Sequence, residues 1–176
     1  MISIEHALSL VEPWIAAYGA LALFLAIYGE SFGLPLPGES ALVAGSVLAA
    51  RGDLPIIAVA LAGWSAAVLG DSTGYLIGWL GGRSLLLRFG PSIGLTAERF
   101  ERVVAQFHRY GFMVVLLARF VVILRQFNGL VAGTLSMPLV RFVPANAIGA
   151  GLWVAVWGVG PYLFGTWFGL MSAASH

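Results

Sequence analysis

The stretch Gly33-Leu34-Pro35-Leu36-Pro37-Gly38-Glu39-Ser40 lies inside apolar sequence and cannot continue a helix. Proline lacks a donor N–H, and glycine loses the most backbone entropy on ordering. A membrane admits broken backbone only where protein or a water-filled cavity satisfies the freed polar groups. Two carboxylates flank the break, Glu30 before it and Glu39 after it. An acid at membrane depth costs about 2.5–3.5 kcal/mol on insertion scales and marks a functional site by default. The expectation is a re-entrant hairpin with an acidic tip, broken at Pro35, Pro37 and Gly38.

Composition decides the solvent. Of 176 residues, 60% are hydrophobic and 10% charged, and the mean hydropathy is +0.93. That points to an all-α polytopic membrane protein with one domain over residues 1–176. All basic residues are arginine, and a net charge of +1 argues against a nucleic-acid partner. The absence of cysteine excludes disulfides, thiolate catalysis and Cys-ligated metal. His6, His108 and His176 are scattered, so no metal or cofactor is expected. The first twelve residues carry Glu5 and Glu12 but no arginine or lysine, so the positive n-region of a signal peptide is not expected there.

Along the chain, Ile4, Ala7, Leu8 and Val11 fall at helical spacing and suggest a short amphipathic start. Residues 14–29 are apolar but short of the ~20 needed to cross a bilayer. The arm after the break, residues 40–50, is shorter still, and Arg51-Gly52-Asp53 returns to water. Residues 55–82 are long enough to span. Their Gly70-x3-Gly74-x3-Gly78 spacing makes a smooth face for close helix packing. Asp71 interrupts that span, either as partner to a buried arginine or proton site, or as a structural hydrogen-bond acceptor. Residues 83–106 form an amphipathic connector, with Thr96 as the N-cap of a surface helix. The next apolar arm contains Arg119, Arg125, Gln126 and Asn128. Residues 142–169 form a last span with Trp153, Trp157, Tyr162 and Trp167 as aromatic anchors.

The halves resemble one another. Val43-Ala44-Gly45-Ser46-Val47 recurs as Val131-Ala132-Gly133-Thr134-Leu135, and Tyr75-Leu76-Ile77-Gly78 as Tyr162-Leu163-Phe164-Gly165, at nearly the same separation. Half-repeats near 14–82 and 107–169, each a re-entrant hairpin plus one long transmembrane helix, make an inverted repeat.

The first hairpin carries the acids Glu30 and Glu39, and the second the bases Arg119 and Arg125. Four unpaired charges at the midplane would cost about 10–14 kcal/mol, so they demand pairing or a wet cavity. Buried pairs barely offset their own desolvation, so stability alone is a poor reason for them. Arginine binds phosphate through a planar fork and stays charged at every physiological pH. Carboxylates can carry protons. The set suits an anion handed across a membrane with proton coupling. Gln126 and Asn128 would add donors for the phosphate, and Asp71 would join the acids. No His-x-Glu metal pattern and no cysteine is present, so an enzyme is not expected. Other readings of these residues are a proton-coupled transporter of another solute, a membrane-embedded lipid phosphatase, or a scaffold for other membrane proteins.

Glu30, the Pro-x-Pro-Gly-Glu39 break, Gly70-Asp71-x-x-Gly74-Tyr75-x-x-Gly78 and Arg119-Phe120-x4-Arg125 together resemble the bacterial DedA family. That family shares the SNARE-associated, or VTT, domain with eukaryotic lipid scramblases. The resemblance runs from about Trp14 to Gly169. It implies a multi-pass transporter of the bacterial cytoplasmic (inner) membrane. Its partners would be protons and a membrane lipid, undecaprenyl phosphate or a phospholipid. Homo-oligomer formation is left open. The family's essential acids map to Glu30 and Glu39, and its essential arginines to Arg119 and Arg125. Many members have proline between the arginines. This chain has Val121-Val122, so Asn128-Gly129 becomes the expected bend of the second hairpin.

Overall fold

In the computed structural model the described residues are 18–82, 84 and 97–174. The expected amphipathic start at residues 1–12, the Thr96 cap and most of the connector lie outside them. Every described element is helical.

The Pro/Gly stretch does break the chain. Helix α1 (Ala20–Ser31) ends before it, and α2 (Gly38–Arg51) begins at Gly38. Pro35 is exposed, Pro37 half-buried and Gly38 buried. Gly38 is needed because a Cβ there would collide with the Glu30 carboxylate and lie 3.1 Å from Ile27 Cα. The end of α1 therefore presses on the start of α2.

Helix α2 stops at Gly52, whose φ of 89° is left-handed. Gly52 N–H donates to the Ala49 carbonyl (3.1 Å) and Asp53 N–H to Leu48 (3.0 Å), which satisfies the last carbonyls. Pro55 then precedes α3 (Ile56–Ile77), which runs on into a π-helical turn, Gly78–Gly82. Helix α4 (Ala97–Ala118) leads by a short turn to α5 (Val122–Thr134). This second pair ends as the first does. Ser136 takes a left-handed φ of 54°. Ser136 N–H donates to Gly133 (2.9 Å) and Met137 N–H to Ala132 (3.0 Å). Pro138 then precedes α6 (Leu139–Val154), which continues through a π-helical turn, Ala155–Val159, into α7 (Gly160–Ala174). A helix pair, a left-handed cap, a proline and a long helix thus occur twice.

Among the described residues, two helices are long and apolar enough to cross a membrane, Ile56–Gly82 and Leu139–Trp167. The second starts before Arg141 rather than after it, because Arg141 sits exposed in the first turn. Trp153 is not an interfacial anchor. It is a buried core residue, whereas Trp157 and Trp167 are exposed.

The chain packs as two units. The first holds residues up to Glu30 with Pro35–Ala67 and Gly151–His176. Its core places Gly45 against Val59 and Leu23, and Gly63 and Gly158 against Leu42 and Val154. Near the chain's end, Gly165 faces Ala50 of α2. The second unit holds Ser31–Leu34 and Val68–Ala150. Tyr75, Phe107, Val115, Leu135, Met137 and Phe142 form its apolar core. Each unit therefore contains one helix pair, the start of the long helix that follows it, and the end of the other long helix. The recurring Gly of each long helix packs within that grouping: Gly165 on α2, and Gly78 on α5.

The second bend lies at Arg119-Phe120-Val121, not at Asn128-Gly129. Phe120 and Val121 N–H groups close tight turns onto Leu117 and Ala118 (3.1 Å each), and Val121 is extended (φ −112°, ψ 116°). Asn128 and Gly129 stay inside α5, held by contacts described below. Helix α4 runs through residue 107 without a break, because residues 97–110 contain no proline or glycine to stop it.

Candidate functional site

The outside of the fold is apolar and its inside carries charge. Leu25, Leu61, Leu69, Leu80, Leu117, Leu124 and Val140 are among many exposed large apolar side chains. Glu30, Asp71, Arg119, Arg125, Asn128 and Asn146 are buried. Water would reverse that arrangement, so it fits a hydrocarbon surround.

Within the second unit, the turn after α4 carries Arg119 into the interior, where it is 1% exposed. Its Nη2 donates to Asp71 Oδ2 of α3 and, at 2.6 Å, to Asn146 Oδ1 of α6. Asn146 Nδ2 in turn donates to the Val68 carbonyl at 3.1 Å, which locks the amide's orientation. One guanidinium thereby joins α3, α6 and the α4–α5 turn. Gly149, one turn beyond Asn146, makes this possible: a Cβ there would sit 3.3 Å from the Leu116 carbonyl and 3.8 Å from Arg119 Nε.

Arg125 is buried on α5, one of the charges acting on Asp71. Asn128 Nδ2 donates to the Val115 carbonyl across the α4–α5 turn at 3.0 Å. That bond explains why Asn128 does not bend the helix. Gln126 is half-buried. Glu30 is buried and Glu39 half-buried, both in the first unit.

Backbone contact places Asp71. A Cβ on Gly129 would collide with the Asp71 carbonyl, and one on Gly133 with that of Tyr75. From the other side, a Cβ on Gly74 would lie 3.3 Å from Leu130 N, and one on Gly78 2.9 Å from Thr134 N. The Gly74/Gly78 face therefore meets a reciprocal Gly129-x3-Gly133 face on α5. Tyr75 pins the end of α5: its hydroxyl donates to the Met137 carbonyl at 2.6 Å, and its ring stacks on Phe142 at 4.6 Å.

The VTT domain matches residues 36–163. The chain belongs to the VTT-domain, or DedA, family. It is 35% identical over 162 residues to protein DedA of Escherichia coli (strain K12), covering 86% of this chain and 73% of that protein. It is 39% identical over 139 residues to an uncharacterized membrane protein of Synechocystis, covering 79% of this chain and 64% of that relative's length. An uncharacterized membrane protein of Mycobacterium bovis is 38% identical over 157 residues, covering 81% of this chain and 69% of that relative. No solved structure matches at a significant level. In this VTT-domain membrane protein the matched region contains Glu39, Asp71, Arg119, Arg125 and Asn146, and Glu30 lies just before it.

The roles of Asn146 and Gly149 and the packing of Gly129 and Gly133 on α3 were not expected from sequence. Asn146 had a usable signal, as a lone amide within an otherwise apolar span. The Gly129-x3-Gly133 spacing was equally readable.

Proposed function

We propose that the protein carries a lipid phosphate, undecaprenyl phosphate or a phospholipid, across the bacterial cytoplasmic membrane as a multi-pass, proton-coupled transporter. The observation that supports this is Arg119, a permanent cation buried at a helix turn and fixed by Asp71 and Asn146. Arg119 and Arg125 bind the phosphate, and Gln126 and Asn128 lie on the same turn and helix. The anion competes with Asp71 for the Arg119 fork. An anion arriving beside a carboxylate favours its protonated form. Lipid and proton then load together, with Glu30 and Glu39 as the proton carriers. The paired helices act as re-entrant hairpins of an inverted repeat, which lets the phosphate pass while the lipid tail stays in hydrocarbon. The protein is a carrier and not an enzyme in this reading.

Reconstitution with labelled polyprenyl phosphate and labelled phospholipids in parallel tests it. Movement of at least one lipid, faster than in protein-free vesicles, is expected. Accumulation of inorganic phosphate would instead favour a lipid phosphatase. Transport of a water-soluble solute alone would favour a solute carrier.

A further inference from the structure

Met137 and Pro138, in the turn after α5, line two cavities of the second unit. The first, about 290 Å³, is also lined by Phe107, Arg109 and Phe112 of α4 and by Arg141. Two of its six lining residues are arginines, none is acidic, and the rest are apolar. The second, about 520 Å³, is walled mainly by Tyr75, Leu76, Trp79 and Leu139 and has no charged lining residue. Its lining hydroxyls are those of Ser72, Tyr75 and Ser136, and those of Ser72 and Tyr75 are already donated, to Val68 and Met137. One cavity therefore favours an anion and its neighbour favours hydrocarbon.

Both arginines stand where apolar helix begins. Arg109 opens the apolar segment Arg109–Ala118, and Arg141 lies in the first turn of Leu139–Trp167. The Arg109 guanidinium rests over the Tyr110 ring, 5.2 Å from its centroid. Tyr110 is exposed, and tyrosine is enriched at membrane–water boundaries. Phe107 is held in the wall because Gly111 leaves room for its ring, at 3.1 Å from where a Cβ would be. Cationic groups at the boundary beside an apolar slot match an amphiphile with a charged head.

We propose that these two cavities form a surface site for one anionic membrane lipid, its phosphate between Arg109 and Arg141 and its tail crossing Met137-Pro138 to lie against Leu76 and Trp79. This site is separate from Arg119 and Arg125, and it does not rest on the transport reading. A phosphate there accepts charge-assisted hydrogen bonds from two guanidiniums. The tail removes Leu76, Trp79 and Leu139 from the headgroup region.

Binding to the purified full chain in detergent tests it, using phosphatidic acid, phosphatidylcholine and inorganic phosphate as separate probes. Phosphatidic acid should bind more tightly than the other two. The double variant Arg109→Gln/Arg141→Gln should weaken it about tenfold or more, and the Lys/Lys pair should retain most of it. Phosphatidic acid brominated in its tail should quench wild-type tryptophan fluorescence more than that of Trp79→Phe. Leu76→Trp, which fills the tail cavity and leaves both arginines, carries the same expectation of weaker lipid binding if the Gln pair does not fold. Unchanged phosphatidic acid binding in the Gln pair or in Leu76→Trp would overturn the site. Inorganic phosphate binding as tightly as the lipid would overturn its assignment to a lipid.

Discussion

Arg119 and Asp71, 48 positions apart in sequence, close a buried ion pair between the turn after α4 and the middle of α3. The pair is 1% and 0% exposed at its two side chains. Replacing both members by apolar groups can be nearly neutral, but removing one leaves an uncompensated buried charge. The same pair that organises the second unit is the one a phosphate would have to share.

Asp71→Ala is therefore expected to destabilise the protein by about 3–5 kcal/mol. The double variant Asp71→Ala/Arg119→Leu should be less destabilised than Asp71→Ala alone. Unfolding of the purified variants in one detergent measures both. Equal or greater loss in the double variant would show that the charges are not coupled.

The glycine faces make a second expectation. Gly133→Ala drives a Cβ into the Tyr75 carbonyl, and overpacking of this kind costs about 1–3 kcal/mol or more. Gly81→Ala meets nothing within 4 Å and should be neutral or stabilising by about 0.4–1 kcal/mol. Melting temperatures of the two variants should move in opposite directions or differ clearly; equal shifts would contradict the packing described.

Tyr75→Phe removes the hydrogen bond to Met137 while keeping the stack on Phe142. A loss of about 0.5–1.5 kcal/mol is expected. Hydrogen exchange at residues 135–137 should rise more than at Ala97–Ala118. Exchange that rises evenly across both would show that Tyr75 does not pin that turn.

What was readable in the sequence follows from the strength of local signals. Pro35, Pro37 and Gly38 break helix through their own backbone chemistry, so the first bend was legible. The long apolar helices were legible from length, and the Gly74/Gly78 face from spacing. The second bend was not. Arg119-Phe120-Val121 contains neither proline nor glycine, and its turn is tied to a guanidinium drawn inward by Asp71 and Asn146. Asn128-Gly129 looked like a bend for the opposite reason. Both residues favour turns in isolation, but here the Asn128 amide is donated to Val115 and Gly129 abuts the Asp71 backbone. Asp71 was legible as an anomaly, and only the fold chose between its readings by placing Arg119 on it.

Glu30→Gln and Glu39→Gln test proton coupling. Amides keep the shape and cannot titrate, so each variant should still bind lipid phosphate while its transport loses the wild-type pH dependence. Normal transport with the wild-type pH profile in both would reduce these acids to structural roles.

The central claim is that Arg119 and Arg125 hold the phosphate during transport. Lysine keeps the charge and loses the planar two-donor fork. The most direct measurement is the rate at which labelled polyprenyl phosphate and labelled phospholipid cross proteoliposomes carrying Arg119→Lys, Arg125→Lys or both, with folded protein confirmed by its melting temperature. Each single variant should lose transport by about tenfold or more, and the pair should fall to the protein-free rate. Full transport by the folded double variant, for whichever lipid the wild type moves, would contradict it.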